Sequence, residues 1–108
     1  MVKLNLQNKQ RVDAIKKTLM SIDNMRPGTL TKQYVRQNQK QYAYYQLSYT
    51  RKMKSRTRYI SSECIKSVKK EIKAYKLFKK LIQQWIDISI QASDDRIKAI
   101  PKKSKKRN

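Results

Sequence analysis

The sequence predicts an α+β fold with an N-terminal helix, a small antiparallel sheet built on a β-hairpin, a long C-terminal helix and a disordered basic tail. The segment Tyr42–Ile60 is rich in aromatic and β-branched residues that alternate with polar ones, which is typical of strands. On either side of it, apolar residues recur at three- and four-residue spacing, which indicates amphipathic helices. Residues 101–108 are mainly lysine and arginine, a composition typical of disorder.

The first helix is expected from about Lys3 to Met25. Its apolar stripe consists of Val12, Ile15, Leu19 and Ile22. The helix should end near Pro27 and Gly28, because proline disfavours the helical conformation in the residue before it. Thr29–Gln37 then has the composition of a short strand or an extended segment. A third strand beside the hairpin is expected because an isolated hairpin is only marginally stable in water.

The hairpin has a sequence from which the pairing of its strands can be predicted. In the first strand Tyr45, Leu47 and Tyr49 alternate with polar residues, so one face should be buried and the other solvated. A two-residue loop would place Arg56 and Arg58 beside Leu47 and bury charge. We therefore predict a loop with an odd number of residues, Arg51–Met53 or Lys52–Lys54. The solvated face would then contain Gln46, Ser48, Thr50, Arg56 and Arg58, with Arg51, Lys52 and Lys54 at the tip.

The second helix is expected from about Ser62 to Ala92, after the capping sequence Ser61-Ser62-Glu63. Its first half has a narrow apolar stripe, and its second half is apolar over a wider arc. A narrow stripe can be covered by the hairpin alone, whereas a wide one needs two neighbours. The second half is therefore expected to pack on the first helix and, in addition, on a second copy or a partner protein. The residues of that predicted partner interface are Leu77, Leu81, Trp85 and Ile88.

One side of the second helix is a ridge of lysines without an acidic residue. The spacing of three and four residues places them along one face over about 20 Å. An ordinary solvated helix face mixes positive and negative charges, so this ridge is suited to a polyanion, although a lysine-rich surface without a function remains an alternative. The lysine ridge consists of Lys66, Lys69, Lys73, Lys76 and Lys80.

Composition narrows the class of function. The 108 residues have a formal net charge of +21 and a pI near 10.4, whereas solubility requires a magnitude of only about 2–8. Nucleic acid is the partner that explains this best, with an anionic membrane surface or an acidic protein as alternatives. Cys64 is the single cysteine and histidine is absent, so neither an intrachain disulfide nor a Cys/His zinc site is possible within this sequence. No segment approaches the length of a membrane span.

These observations predict a non-enzymatic, cofactor-free nucleic-acid-binding protein of the cytoplasm, associated with the nucleoid. Glycine-rich phosphate loops and a paired nucleophile and base are missing from the sequence. Phosphate contacts are expected from the hairpin cations Arg51, Lys52, Lys54, Arg56 and Arg58, and from the lysine ridge. Tyr42 and Tyr44 are candidates for stacking on unpaired bases, whereas Tyr45, Tyr49 and Tyr59 are assigned to the core. The alternative is an accessory or interaction subunit of a larger nucleoprotein complex, such as mobile-element machinery, an inhibitor that blocks nucleic-acid contacts, or an RNA- or ribosome-associated protein.

Two motifs resemble a family of small, functionally uncharacterised bacterial and archaeal proteins. The motifs are Met25-Arg26-Pro27-Gly28-Thr29-Leu30 and Tyr44-Tyr45-Gln46-Leu47-Ser48-Tyr49, and the resemblance covers Met25–Trp85. Members of that family are often found in mobile elements near transposase genes. This chain lacks the cysteine cluster that the family has between the motifs, and it has Met53 where members commonly have glycine. The resemblance implies association with mobile DNA, which favours DNA over RNA as the ligand.

Overall fold

A computed structural model describes residues 4–100 and has the predicted α+β architecture. A helix is followed by a three-stranded antiparallel sheet of order β1-β2-β3 and by a long helix. The predicted third strand is confirmed, since it pairs with the hairpin along its whole length. The basic tail predicted for residues 101–108 lies outside the described residues. The elements are α1 Leu6–Met20, β1 Thr29–Gln37, β2 Lys40–Arg51, β3 Lys54–Ile60 and α2 Ile65–Lys98.

Both helices differ from the prediction at their ends. Helix α1 begins after Asn5, whose side-chain oxygen accepts a hydrogen bond of 2.8 Å from the backbone N–H of Asn8. It ends before the predicted Met25, because the hydroxyl and the backbone N–H of Ser21 both donate to the carbonyl of Thr18 and close the last turn. Helix α2 begins later than predicted, since residues 62–64 form a turn, and it continues past Ala92 to Lys98.

The chain divides into two compact units. Among the described residues, the helical unit comprises residues 4–21 and 79–100, and the sheet unit comprises Ile22–Phe78. Helix α2 contributes its first part to the sheet unit and its remainder to the helical unit.

The helical unit has a small apolar core between α1 and the second part of α2. Val12, Ile15 and Ile88 are buried in it. Leu81 and Trp85 pack against them, and the lysine Nζ of Lys16 lies 5.3 Å from the centroid of the Trp85 ring. The prediction that the second half of α2 packs on the first helix is therefore confirmed.

The sheet unit has its own core, centred on Leu47, which is 0% exposed. Val68 and Ile72 of α2 are buried with it, and Leu30, Tyr49 and Ile60 surround them. Because α2 contacts the sheet through these side chains, the prediction that its first half packs on the hairpin is confirmed.

The loop of the β2–β3 hairpin is shorter than predicted, and the predicted odd number of loop residues is wrong. Strand β2 ends at Arg51, which pairs directly with Lys54, so the turn consists of Lys52 and Met53 alone. Both turn residues have positive φ, 53° and 63°, as a type I′ turn requires.

The two-residue turn changes which residues of β3 share the core side of the sheet. Ile60 pairs with Tyr45, Arg58 with Leu47 and Arg56 with Tyr49. This pairing brings Ile60, the aliphatic residue of β3, into the core. The arginines are tolerated on the same side because β3 is an edge strand. Their carbon chains can lie along the sheet while their guanidinium groups stay in water, and both residues are exposed.

The loop before β1 closes the core of the sheet unit. Gly28 has φ +145°, and a Cβ at this position would lie 2.7 Å from Cδ1 of Leu47. The backbone N–H of Arg26 donates a hydrogen bond of 3.2 Å to the carbonyl of Glu71 in α2, and its guanidinium carbon lies 4.8 Å from the centroid of the Tyr49 ring. The first motif of the resemblance thus has a structural role, since it fastens the loop to both α2 and the sheet.

Candidate nucleic-acid interface

The register gives the sheet two chemically different faces. Side chains directly opposite each other in an antiparallel pair lie on the same face. One face contains Leu47 and packs on α2, and we call the other the outer face. Arg51, Lys54, Arg56 and Arg58 fall on the face of Leu47, whereas Gln46, Ser48 and Thr50 fall on the outer face. The predicted surface that combined Gln46, Ser48, Thr50, Arg56 and Arg58 is therefore wrong, because a register shift of one residue exchanges the faces of β3.

The hairpin cations are nevertheless accessible. Each of the five side chains is exposed, and within residues 4–100 none of them forms an ion pair with an acidic side chain. Positive charges on an edge strand and its turn also discourage edge-to-edge pairing of sheets. These cations are Arg51, Lys52, Lys54, Arg56 and Arg58.

The lysine ridge runs along exposed positions of α2, and one of its members reaches the sheet. Lys69 places its Nζ 5.5 Å from the centroid of the Tyr45 ring. Tyr45 lies on the same face as Arg58, since it is two residues along β2 from Leu47, the partner of Arg58. The structure therefore brings Lys69 and Arg58 to the same side of the sheet. Lys66, Lys73 and Lys76 are also exposed in the sheet unit, while Lys80 belongs to the helical unit.

Sequence reasoning missed cations on the other half of the sheet. Lys32, Arg36 and Lys40 are exposed on β1 and at the start of β2. The signal that could have identified them is the length of the acid-free segment. It extends from Asn24 to Ser62, well beyond the hairpin, and it includes every residue of the sheet. A whole sheet without a carboxylate has a positive potential on both edges.

The outer face has few charges and many hydrogen-bonding groups. Hydroxyl groups of serine and threonine occupy the end near the β2–β3 turn, where Thr50 Oγ1 and Ser55 Oγ are 3.4 Å apart. They border a shallow groove of about 460 Å³. The outer-face residues that line it are Thr29, Ser48, Thr50, Ser55 and Thr57.

Three tyrosines occupy the opposite end of the outer face, and we call them the tyrosine patch. Tyr42 and Tyr44 are alternate residues of β2, and Tyr59 is on β3. The rings of Tyr44 and Tyr59 meet edge to face with centroids 5.4 Å apart. Tyr59 is 74% exposed, so its assignment to the core was wrong, for the same register reason that moved the arginines. Tyr42 is exposed as predicted, and Tyr44 is half-buried.

Three of the four residues predicted to form a partner interface, Leu81, Trp85 and Ile88, belong to the helical unit, whereas Leu77 belongs to the sheet unit. Ile88 is buried by α1, and Leu81 and Trp85 pack against the same core, so Ile88 is no longer available for a partner. Exposed apolar side chains of α2 include Leu77, Ile86 and Ile90. A shallow apolar groove of about 320 Å³ is lined by Ile82, Trp85, Ile86, Ser89 and Ile90.

Comparison with known proteins gives no match to a family model, a curated protein or a solved structure. Among residues 4–100, neither helix has the length and hydropathy that crossing a bilayer would require. The same residues contain no group of three or more histidine, cysteine or acidic side chains placed to bind a metal ion.

Proposed function

We propose that this protein is a non-enzymatic nucleic-acid-binding protein that contacts the phosphates of DNA through its sheet unit. The observation that carries the proposal is the acid-free segment Asn24–Ser62, which forms the whole sheet and presents its cations to solvent. Arginine and lysine side chains are charged at neutral pH and are the main phosphate contacts in protein–DNA complexes.

Two elements supply the phosphate contacts. The β2–β3 hairpin provides arginines on an edge strand and lysines at its turn, and α2 provides the part of the lysine ridge that belongs to the sheet unit. Lys69 and Arg58 connect the two elements, because they lie on the same side of the sheet. An acid-free surface of this kind is self-repelling without counterions, and a polyanion relieves that repulsion.

DNA is favoured over RNA by the resemblance to proteins of mobile elements. The phosphate contacts themselves do not depend on that choice, since both polymers have the same backbone charge. A protein of this kind would reside in the cytoplasm on the nucleoid.

A second candidate function is supported by the helical unit. Ile86 and Ile90 are exposed one turn apart on α2 and line an apolar groove together with Ile82, and an exposed apolar strip can be a protein-binding surface. In that case the protein is an accessory subunit, and a protein partner or a second copy would occupy the strip.

A titration of a labelled duplex followed by fluorescence anisotropy tests the proposal. Neutralising ~6–10 phosphates lowers affinity by about 10³–10⁵ between 50 and 200 mM salt, so we expect tight binding that salt abolishes. Unlabelled duplex, single-stranded DNA and structured RNA are then compared as competitors. Salt-independent binding, or binding that appears only with a protein partner, would contradict the proposal and favour the accessory subunit.

A further inference from the structure

The outer face of the sheet differs from every other surface of the sheet unit, because it combines exposed aromatic rings with almost no charge. Along β2 this face presents Lys40, Tyr42, Tyr44, Gln46, Ser48 and Thr50 in order. We propose that the tyrosine patch of Tyr42, Tyr44 and Tyr59 binds single-stranded DNA by stacking unpaired bases on the tyrosine rings. The inference rests on the proposed function, and it specifies which form of DNA this face recognises.

Geometry supports stacking at this patch. Alternate residues of a strand are about 6.6 Å apart, so the rings of Tyr42 and Tyr44 can each receive a separate base of an extended strand. Tyr59 meets Tyr44 edge to face, which fixes the orientation of its ring while 74% of the residue stays exposed. Aromatic rings on an open sheet are the means by which several RNA- and DNA-binding modules hold unpaired bases.

A positive charge beside the tyrosine patch can contact the phosphates of the bound strand. Lys40 lies next to Tyr42 on the outer face. A strand whose bases stack on the patch therefore has the Lys40 ammonium beside its phosphates. The bases of a duplex are already stacked on each other and cannot cover a tyrosine ring, so the patch selects unpaired bases.

The choice of deoxyribose over ribose comes from the proposed function. Beside Tyr42 the outer face has Val35 directly opposite, and Gln33 and Gln37 on either side of Val35 along β1. Competition with oligouridylate therefore tests this choice.

The test measures affinity for an oligodeoxyuridylate of about 12 nucleotides, a length within the range of known single-strand sites, and for an abasic strand of equal length. Both strands have the same phosphate charge, so the difference between them reports base contacts alone. We expect the wild-type protein to prefer the strand with bases. Tyr59→Ser should weaken that binding by about fivefold or more and leave abasic binding unchanged. Tyr59→Phe should retain most of the affinity, because the ring remains.

Tyr34→Ser is the matched control. Tyr34 is 59% exposed on the same sheet, but it pairs with Ala43 on the face that packs on α2. Its removal should change neither affinity. Far-ultraviolet circular dichroism and melting curves should show that both serine variants remain folded.

The possible results separate this inference from the proposed function. Equal wild-type affinity for the two strands, or an equal loss with both strands in Tyr59→Ser, would overturn base stacking while leaving phosphate binding intact. Failure to bind the abasic strand and a duplex at low salt would overturn both proposals. Oligouridylate that binds as tightly as the matching deoxy strand would overturn the assignment to DNA.

Discussion

Four residues in the two turns of the sheet have positive φ although none is glycine: Asn38, Gln39, Lys52 and Met53. Asparagine tolerates this conformation, but a lysine or a methionine in the left-handed region costs about 1–2 kcal/mol each. The β2–β3 turn adopts this conformation despite its cost, because burial of Leu47 fixes the register of the two strands that the turn joins. This turn also exposes Met53 almost completely, at 97%.

Replacing Met53 with glycine should therefore stabilise the protein. Met53→Gly relieves the left-handed strain without removing a cation, and we expect a gain of about 1 kcal/mol in the free energy of unfolding measured by urea titration. Met53→Ala is the control, since alanine keeps the Cβ that causes the strain. A larger gain in the alanine variant than in the glycine variant would show that the exposed side chain, and not the backbone, limits stability.

At the level of the element, the strands and helices could be predicted from the sequence, whereas the register of the hairpin could not. Alternation of Tyr45, Leu47 and Tyr49 with polar residues is strong enough to identify β2. Turn sequences such as Asn-Gly specify a two-residue loop, but Lys52-Met53 has no such preference. The prediction therefore depended on the assumption that Arg56 and Arg58 must lie on the face opposite Leu47. Arginines of an edge strand can instead lie on the core side, with their guanidinium groups in water.

One residue held the information that would have corrected the prediction. Ile60 is the aliphatic residue of β3. It lies on the same face of the sheet as Leu47 only if the loop has an even number of residues. Tyr59 and Thr57 were instead treated as the apolar side of the strand, although both can face water. The same error placed Tyr59 in the core and the arginines with Gln46. Sequence reasoning thus predicted that the hairpin cations are exposed but not the face on which they lie.

A disulfide experiment tests the register directly. Thr50 and Ser55 are paired and their hydroxyl oxygens are 3.4 Å apart, so cysteines at these positions should cross-link readily under mild oxidation. The experiment requires Cys64→Ser, since Cys64 is exposed. Mass spectrometry of the oxidised Thr50→Cys/Ser55→Cys protein should show an intramolecular bond.

The control pairs Thr50→Cys with Arg56→Cys, which an odd loop of Lys52–Lys54 would place opposite each other. In the structure these residues lie on different faces of the sheet. Faster cross-linking of this pair than of Thr50→Cys/Ser55→Cys would show that the two-residue turn is incorrect.

At the scale of the whole molecule, acidic residues are distributed unevenly along the described residues 4–100. Residues 24–62 contain no acid, whereas α1 has an internal ion pair in which Lys9 Nζ and Asp13 Oδ2 are 3.5 Å apart. The second part of α2 contains Asp87, Asp94 and Asp95. Within residues 4–100, the sheet unit has fourteen lysines and arginines against three acidic residues, whereas the helical unit has eight against four. Phosphate binding should accordingly depend on where a cation is removed, and not only on how many are removed.

The most direct measurement is the slope of log affinity against log salt for duplex DNA in two variants that each lose two positive charges. Arg56→Gln/Arg58→Gln removes cations of the sheet unit, and Arg11→Gln/Lys17→Gln removes exposed cations of α1. We expect the first variant to reduce the slope by about 1 per arginine, and the second to leave it close to that of the wild-type protein. Equal slopes in the two variants would contradict phosphate contact through the sheet unit, because net charge alone would then explain binding.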